Sequence, residues 1–396
     1  MKNITAFSLL FALTVNASAQ KTENRTNFIL TGQIAGRNNG LIWINYLDKK
    51  GKEIKDTTYL SNGNFKFKGQ IDGATPVSLY GNVKSRSSDD PNFTELFIEP
   101  GKMTVTLTEG HFKNFEMTGS RSQADMFLLQ KQKALITSQQ AAIGRLKNRI
   151  IDQINKGDTS ETARHQKDSI LNKEHECREL ERKADFNFIS SHPASSVSPY
   201  LMNKYFRSRE LSLDSAELFF GRFTSSVKES VLGKNIGRQI AQRKASAIGS
   251  KAPNFTKPDI NGKSLTLSEL KGKGYILLDF WASWCVPCRK DEPEIKKLYE
   301  TYHLKGLDII SISWDSNKKA WQDAIASDGT GEWHQVFANV FLPNDNGLRD
   351  TYFIGAIPSL ILIDTNGVII GRYRGASDEG DLADLKKKLV EVFNKN

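Results

Sequence analysis

Tyr275-Ile276-Leu277-Leu278-Asp279-Phe280-Trp281-Ala282-Ser283-Trp284-Cys285-Val286-Pro287-Cys288 is the stretch whose reading decides the fold. Its first seven residues are an apolar run broken once, by Asp279. Beyond the two cysteines, apolar residues recur at helical spacing, at Ile295, Leu298, Tyr299 and Tyr302. A buried strand therefore runs through a turn into a helix, with the cysteine pair at the helix N-terminus. The location sets the chemistry. Free backbone N–H groups and the positive end of the helix dipole stabilise a thiolate. A cysteine so placed drops from about pKa 8.5 into the range ~3.5–7.5. Cys285 is expected to be the exposed nucleophile. Cys288, one turn in, is the resolving thiol that closes a short disulfide with it. The other reading of a Cys-x-x-Cys pair, half a zinc site, needs two further ligands. The only other cysteine is Cys177, and His303 and His334 form no ligand-spaced pair, so no metal is expected.

Residues 278–289, Leu-Asp-Phe-Trp-Ala-Ser-Trp-Cys-Val-Pro-Cys-Arg, resemble the active-site stretch of thioredoxins. They are more closely similar to that of the TlpA/ResA-like periplasmic thiol–disulfide oxidoreductases, and the resemblance extends over residues 250–396. It implies a thioredoxin fold and a redox-active disulfide as the only redox group, with no bound cofactor. It also implies disulfide-containing protein substrates, cytochrome c maturation substrates among them, and a membrane-bound thiol reductant as electron donor.

Single residues then acquire expected roles. Asp279 lies six residues before the first cysteine, where thioredoxins carry the acid that takes the proton of the second. Buried in an apolar run, its pKa should be raised. Many TlpA-like proteins have no acid there, so Asp279 leans toward thioredoxin; an Asp bonded to backbone at a strand end is the alternative. Ile357-Pro358 matches the family's cis-proline, which faces the pair and offers backbone groups to a substrate peptide. An ordinary trans loop proline is the alternative. Trp284 is a flat apolar cover beside the nucleophile, for shielding or substrate contact. Asp291, three residues after Cys288, stands where ResA-like proteins carry a thiol-tuning Glu, and Glu292 is beside it. Both are equally first-turn acids favoured by the helix dipole.

Direction is not written in Val286-Pro287, so an oxidase or isomerase stays open, the latter with a homodimer joined through the helical middle. A peroxiredoxin is excluded, because residues 278–285 lack the P-x-x-x-[TS]-x-x-C placement. A cell-envelope binding protein using the fold as scaffold is the non-enzymatic alternative.

At 396 residues the chain exceeds one ordinary domain. Residues 1–19 read as a signal peptide, with Lys2, a short apolar stretch and Ala17-Ser18-Ala19 before a cleavage point. Export to the periplasm follows. Residues 20–120 alternate and turn often, with strand candidates at 28–30, 41–44, 65–67, 77–80, 93–98 and 103–107. Asn39-Gly40, Asn62-Gly63 and Pro100-Gly101 supply turns. An antiparallel β-sandwich is expected there. Its Gly63-Asn64-Phe65 and Glu99-Pro100-Gly101 resemble the β domain, of unassigned role, that often precedes TlpA-like domains.

Residues 121–249 form a helical region. One stripe carries Ile143, Leu146, Ile150 and Ile154; a second carries Cys177, Leu180, Ala184 and Phe188, which suggests a helical hairpin. Cys177 is read as a buried thiol, or as the partner of an intermolecular disulfide. Shorter helices are expected at 197–206, 214–223 and 235–248. Residues 250–396 alternate strands and helices. Ser268 is expected to cap a short helix. Pro293 should kink the active-site helix. A last hairpin turns at Thr365-Asn366-Gly367, and further helices are expected at 316–326, 346–353 and 378–393. The net charge of +10 concentrates in residues 121–249. In an exported protein that excess is a solvated helical face, and no nucleic-acid partner is expected.

Overall fold

The computed structural model describes residues 26–394 apart from 86, 158–159, 209, 339–346 and 375–378. The expected signal peptide lies outside the described residues, as do Asn346 and Asp378, the expected first residues of two helices. The chain divides into two compact units. One holds the residues up to Tyr205 with Ser215–Ile236; the other holds Phe206–Asp214 with the residues from Gly237 onward.

The first unit opens with eight strands: β1 Asn27–Ala35, β2 Leu41–Leu47, β3 Glu53–Tyr59, β4 Asn64–Gln70, β5 Thr75–Tyr80, β6 Phe93–Ile98, β7 Gly101–Thr108 and β8 Glu116–Thr118. They form two four-stranded sheets, ordered β4-β1-β7-β8 and β3-β2-β5-β6. Period-2 alternation sends Phe28, Leu30, Ile42, Ile44, Val77, Leu79, Val105 and Leu107 into one core. Asn62 and Gly63 both have positive φ, 51° and 78°. That is the backbone a two-residue type I′ turn requires and an Asn-Gly pair tolerates.

One pairing corrects the antiparallel expectation. β1 and β7 run parallel, from Phe28 opposite Gly101 to Ala35 opposite Thr108. A long connection, not a hairpin, joins them, so nothing forces antiparallel order. β3 escapes sequence reading because Glu-Ile-Lys-Asp-Thr-Thr-Tyr is an edge strand that never becomes fully buried.

Helices α1 Arg121–Gln132, α2 Ala134–Asn155 and α3 Glu161–Ser191 follow. Gln123 in α1 accepts the Phe97 N–H at 2.8 Å, covering β6. α2 and α3 pack as a hairpin that buries Ile150, Ile170, Cys177 and Phe188. Cys177 is a free, buried thiol. Leu146 and Leu180, read as seam residues, are 41% and 46% exposed, because two helices share one narrow seam. At the foot of the hairpin, fully buried Asp185 meets Lys133 at 2.7 Å and accepts from Tyr205 at 2.6 Å. Glu181 accepts from Lys133, Gln140 and Lys204 at 3.3, 3.0 and 3.1 Å. Burial alone would raise the Glu181 pKa, but the Gln140 amide and the two ammonium groups outweigh it and hold it down at about 2. Four helices complete this stretch of chain: α4 Val197–Arg207, α5 Leu213–Arg222, α6 Ser225–Glu229 and α7 Val231–Ala245.

After α7 the chain continues with a small hairpin, β9 Thr256–Pro258 and β10 Ser264–Thr266, and the short α8 Leu267–Leu270. Thr266, not Ser268, is the N-cap of α8; Ser268 lies inside it and its N–H is taken by Asn254 Oδ1 at 2.9 Å. Then come β11 Tyr275–Trp281, α9 Val286–Tyr302, β12 Leu307–Ser313, α10 Lys318–Asp328, β13 His334–Phe337, α11 Leu348–Thr351, β14 Ser359–Ile363, β15 Ile369–Arg374 and α12 Glu379–Asn394. Five strands form one sheet, ordered β13-β12-β11-β14-β15. β11 is central, parallel to β12 and antiparallel to β14.

The alternation of β11 places the site. Ile276, Leu278 and Phe280 join a cluster on one face with Ile310, Ile312 and Trp321. Leu277 joins the other, with Ile309, Ile295, Leu298 and Tyr299 of α9 and Leu385 and Leu389 of α12. Asp279, two residues from Leu277, therefore points to the α9 face, and so does Ser311, two residues from Ile309.

Candidate active site

The turn between β11 and α9 is tied down by one acid. Asp315, 2% exposed, accepts from the Ser283 N–H at 2.8 Å, the Ser283 hydroxyl at 2.6 Å and the Ser313 hydroxyl at 2.7 Å. Arg289 donates to the Ser283 carbonyl at 3.4 Å and pairs with Asp328 at the end of α10. Cys285 is the N-cap of α9, and its Sγ accepts the Cys288 N–H at 3.2 Å. Val286 and Pro287 occupy the first helical positions, where proline forfeits no intrahelical bond. The helix runs on through Pro293 to Tyr302.

Cys285 and Cys288 are joined in a disulfide, with Cα atoms 5.2 Å apart. The expectation of an exposed Cys285 is corrected: it is 4% exposed and Cys288 2%. In the oxidised pair the first sulfur turns back over the helix N-terminus to meet Cys288, and both join the cluster of Trp281, Tyr352 and Ile354. The residues that face solvent are their neighbours, Trp284 and Val286, at 58% and 78%. Trp284 thus flanks the pair as an exposed apolar surface.

The Ile357–Pro358 peptide bond is cis. Ile357, half-buried, packs on the cluster that holds both cysteines. Pro358 is buried one residue beyond the pairing of Ser359 with Phe280, at the end of β11 that leads into the cysteine turn.

Between β11 and α9 lies a group of mutually interacting acids. Asp279 is 1% exposed, and Asp291 and Glu292, in the second turn of α9, are 8% and 6% exposed. Burial, opposed by a hydrogen bond from Ser311 and reinforced by Asp291, raises the Asp279 pKa to about 7. Burial, with Asp279, Asp328 and Asp291 adding to it against Arg289, pushes Glu292 to about 9. Burial also raises Asp291, against the pull of Lys290. Its Oδ2 has no hydrogen-bond partner among the described residues.

Three residues here escaped sequence reading. Ser311 donates to Asp279 Oδ2 at 2.8 Å, and the Trp333 indole N–H donates to Ser311 Oγ at 2.9 Å. The only signal for Ser311 was its place in the strand neighbouring Asp279; nothing marked Trp333. Asp315 was legible only as the first acid after an apolar strand. Together the residues form a disulfide at a helix N-terminus, with a buried carboxyl on the α9 face of β11 whose pKa burial raises to about 7. That combination suits thiol–disulfide exchange.

Comparison with known proteins agrees. A family model described as Redoxin matches residues 247–389, and one described as a domain of unknown function, DUF4369, matches residues 28–126. The thiol-disulfide oxidoreductase ResA of Bacillus anthracis is 32% identical over 150 residues, which are 38% of this chain and 83% of that protein. ResA of Bacillus subtilis (strain 168) is 33% identical over 144 residues, 36% of this chain and 76% of that protein. The crystal structure of the thioredoxin domain of a thiol-disulfide oxidoreductase from Bacteroides vulgatus is 34% identical. It covers 36% of this chain and 98% of that one, with a TM-score of 0.32. The chain, an N-terminal DUF4369 domain and helices followed by a domain with a Cys285–Cys288 pair, belongs to the TlpA/ResA-like thioredoxin-fold thiol–disulfide oxidoreductases.

Proposed function

We propose that the protein is exported to the periplasm and reduces disulfides of envelope proteins through Cys285 and Cys288, without a bound cofactor. The Cys285 thiolate attacks a target disulfide, and one target sulfur leaves with the bonding electron pair. Cys288 then gives its proton to Asp279 and attacks Cys285 Sγ, which expels the second target sulfur. The product is the closed pair. A membrane-bound thiol reductant returns the two electrons. Cis-Pro358, Ile357 and the exposed Trp284 form the surface on which the target lies. Asp291 and Glu292 tune the thiols through Asp279. The observation that carries this reading is the Cys285–Cys288 disulfide at the N-terminus of α9, with Asp279 buried in the strand that leads into it. Export rests on residues 1–19, and among the described residues no helix is long and apolar enough to cross a membrane.

The test is the equilibrium potential of the pair in glutathione and dithiothreitol buffers. A value near roughly −270 mV fits a reductase that depends on an electron supply. A value near about −120 mV reverses the direction. The absence of any reversible two-electron couple removes the activity. In parallel, Cys288→Ser should accumulate a mixed disulfide with its target and Cys285→Ser should not.

A further inference from the structure

We infer that Ser311 and Trp333 are positioning residues that decide which oxygen of Asp279 exchanges its proton with Cys288. The inference rests on the thiol-exchange reading above. An indole N–H only donates, so Trp333 Nε1 must be the donor to Ser311 Oγ, 2.9 Å away. The serine hydroxyl has a single hydrogen, and Asp279 Oδ2, 2.8 Å away, is its acceptor among the described residues. If Asp279 were protonated on Oδ2 and donated back, that hydrogen would be left without an acceptor in a dry interior, which is unfavourable. The chain Trp333 to Ser311 to Asp279 therefore runs one way. Oδ2 stays an acceptor, and Oδ1 carries the proton that moves.

The fold holds all three members in place. Asp279 and Ser311 are direct neighbours in the parallel pairing of β11 with β12. Ser311 is 1% exposed, on the face shared with Leu307 and Ile309, where packing alone calls for an aliphatic residue. Trp333 immediately precedes β13, is 5% exposed and packs on the Tyr299 ring of α9 at 5.1 Å. The charged groups that act on Asp279 are Asp291 and Glu292 on α9; Arg289 and Asp328 in turn act on Glu292, and Lys290 on Asp291. β14 presents Leu360 opposite it. Among the described residues Ser311 is the one side-chain hydrogen-bond donor to Asp279. In the step concerned, the proton on Cys288 Sγ passes to Asp279 Oδ1. Cys288 Sγ bonds to Cys285 Sγ, and the electron pair of the Cys285–target bond leaves on the target sulfur.

The test follows Asp279 by carboxyl-carbon NMR in the full chain, together with the pH dependence of mixed-disulfide resolution. Ser311→Ala removes a donor to the charged carboxylate, so the Asp279 midpoint should rise by about one pH unit. The limb of the rate profile should move with it. Trp333→Phe keeps the ring and frees the serine rotor, giving a smaller rise of the same sign. Ser311→Thr, which retains the hydroxyl, should restore the wild-type profile. Wild-type midpoints in both Ser311→Ala and Trp333→Phe overturn the inference and leave the exchange reading standing. A wild-type protein with no reversible Cys285–Cys288 couple overturns both.

Discussion

Two clusters of buried carboxylates in this chain have opposite chemistry. At the foot of the helical hairpin, Asp185 and Glu181 are surrounded by Lys133, Lys204, Gln140 and the Tyr205 hydroxyl. Under the active-site helix, Asp279, Asp291 and Glu292 face mainly one another, with Arg289 already engaged by Asp328. Asp185 and Asp279 are both buried, and Glu181 is about a quarter exposed. Glu181 is driven to about 2 where cations answer the charge, and Asp279 and Glu292 rise to about 7 and about 9 where they do not. Burial of an acid is thus not itself a functional mark. Burial without a compensating cation is, because only then does the proton become exchangeable near neutral pH.

The sharpest way to break the comparison is to remove the acid from the compensated cluster. Asp185→Ala leaves Lys133, whose side chain is 14% exposed, without its closest partner. A loss of about 3–5 kcal/mol is expected in chemical denaturation of the first unit, with exchange activity intact. Asp279→Asn should do the reverse. Its carboxyl has a raised pKa, so its protonation supports the fold fully below the unfolded value near 4. That support disappears as pH rises through about 7. The asparagine variant should therefore match wild type in acid and exceed it by about 2–4 kcal/mol at pH 8. Resolution of mixed disulfides should slow about 10²-fold.

Within the uncompensated cluster the couplings are unequal. Glu292 is neutral while Asp279 titrates, so Glu292→Gln should leave the Asp279 midpoint near 7, whereas Asp279→Asn should lower that of Glu292 from about 9. Asp291→Asn should lower the Asp279 midpoint by under about one unit, read by carboxyl-carbon NMR. The smallest effect concerns Glu181. Its lowered pKa gives stability above its unfolded value that is lost as pH falls toward about 2. Glu181→Gln should flatten that acid limb by about 1 kcal/mol in unfolding measured between pH 5 and 2.

Much of the second unit was legible because its chemistry interrupts its pattern. Asp279 stood out as one acid in an apolar run, and the cysteines stood where that run gives way to helical spacing. β12 was read to its observed limits, since Leu307, Ile309, Ile310 and Ile312 mark a buried strand despite Asp308, Ser311 and Ser313. What escaped has no local signature. Ser311 matters only through a register that pairs it with a residue 32 positions earlier. β13 is a four-residue strand made by its pairing with β12. The burial of Cys285 follows from closing the disulfide, which spacing alone cannot convey. In the sandwich, the parallel β1–β7 pair was hidden because alternation marks faces and not neighbours.

That parallel pair has a consequence for synthesis. β1 sits between β4 and β7, and β7 ends at Thr108, so one side of the first strand stays unpaired while roughly 70 further residues are made. At ribosomal speeds the wait is on the order of 4–15 s. Through it, an apolar strand with an open edge depends on whatever holds the nascent chain apart from its neighbours.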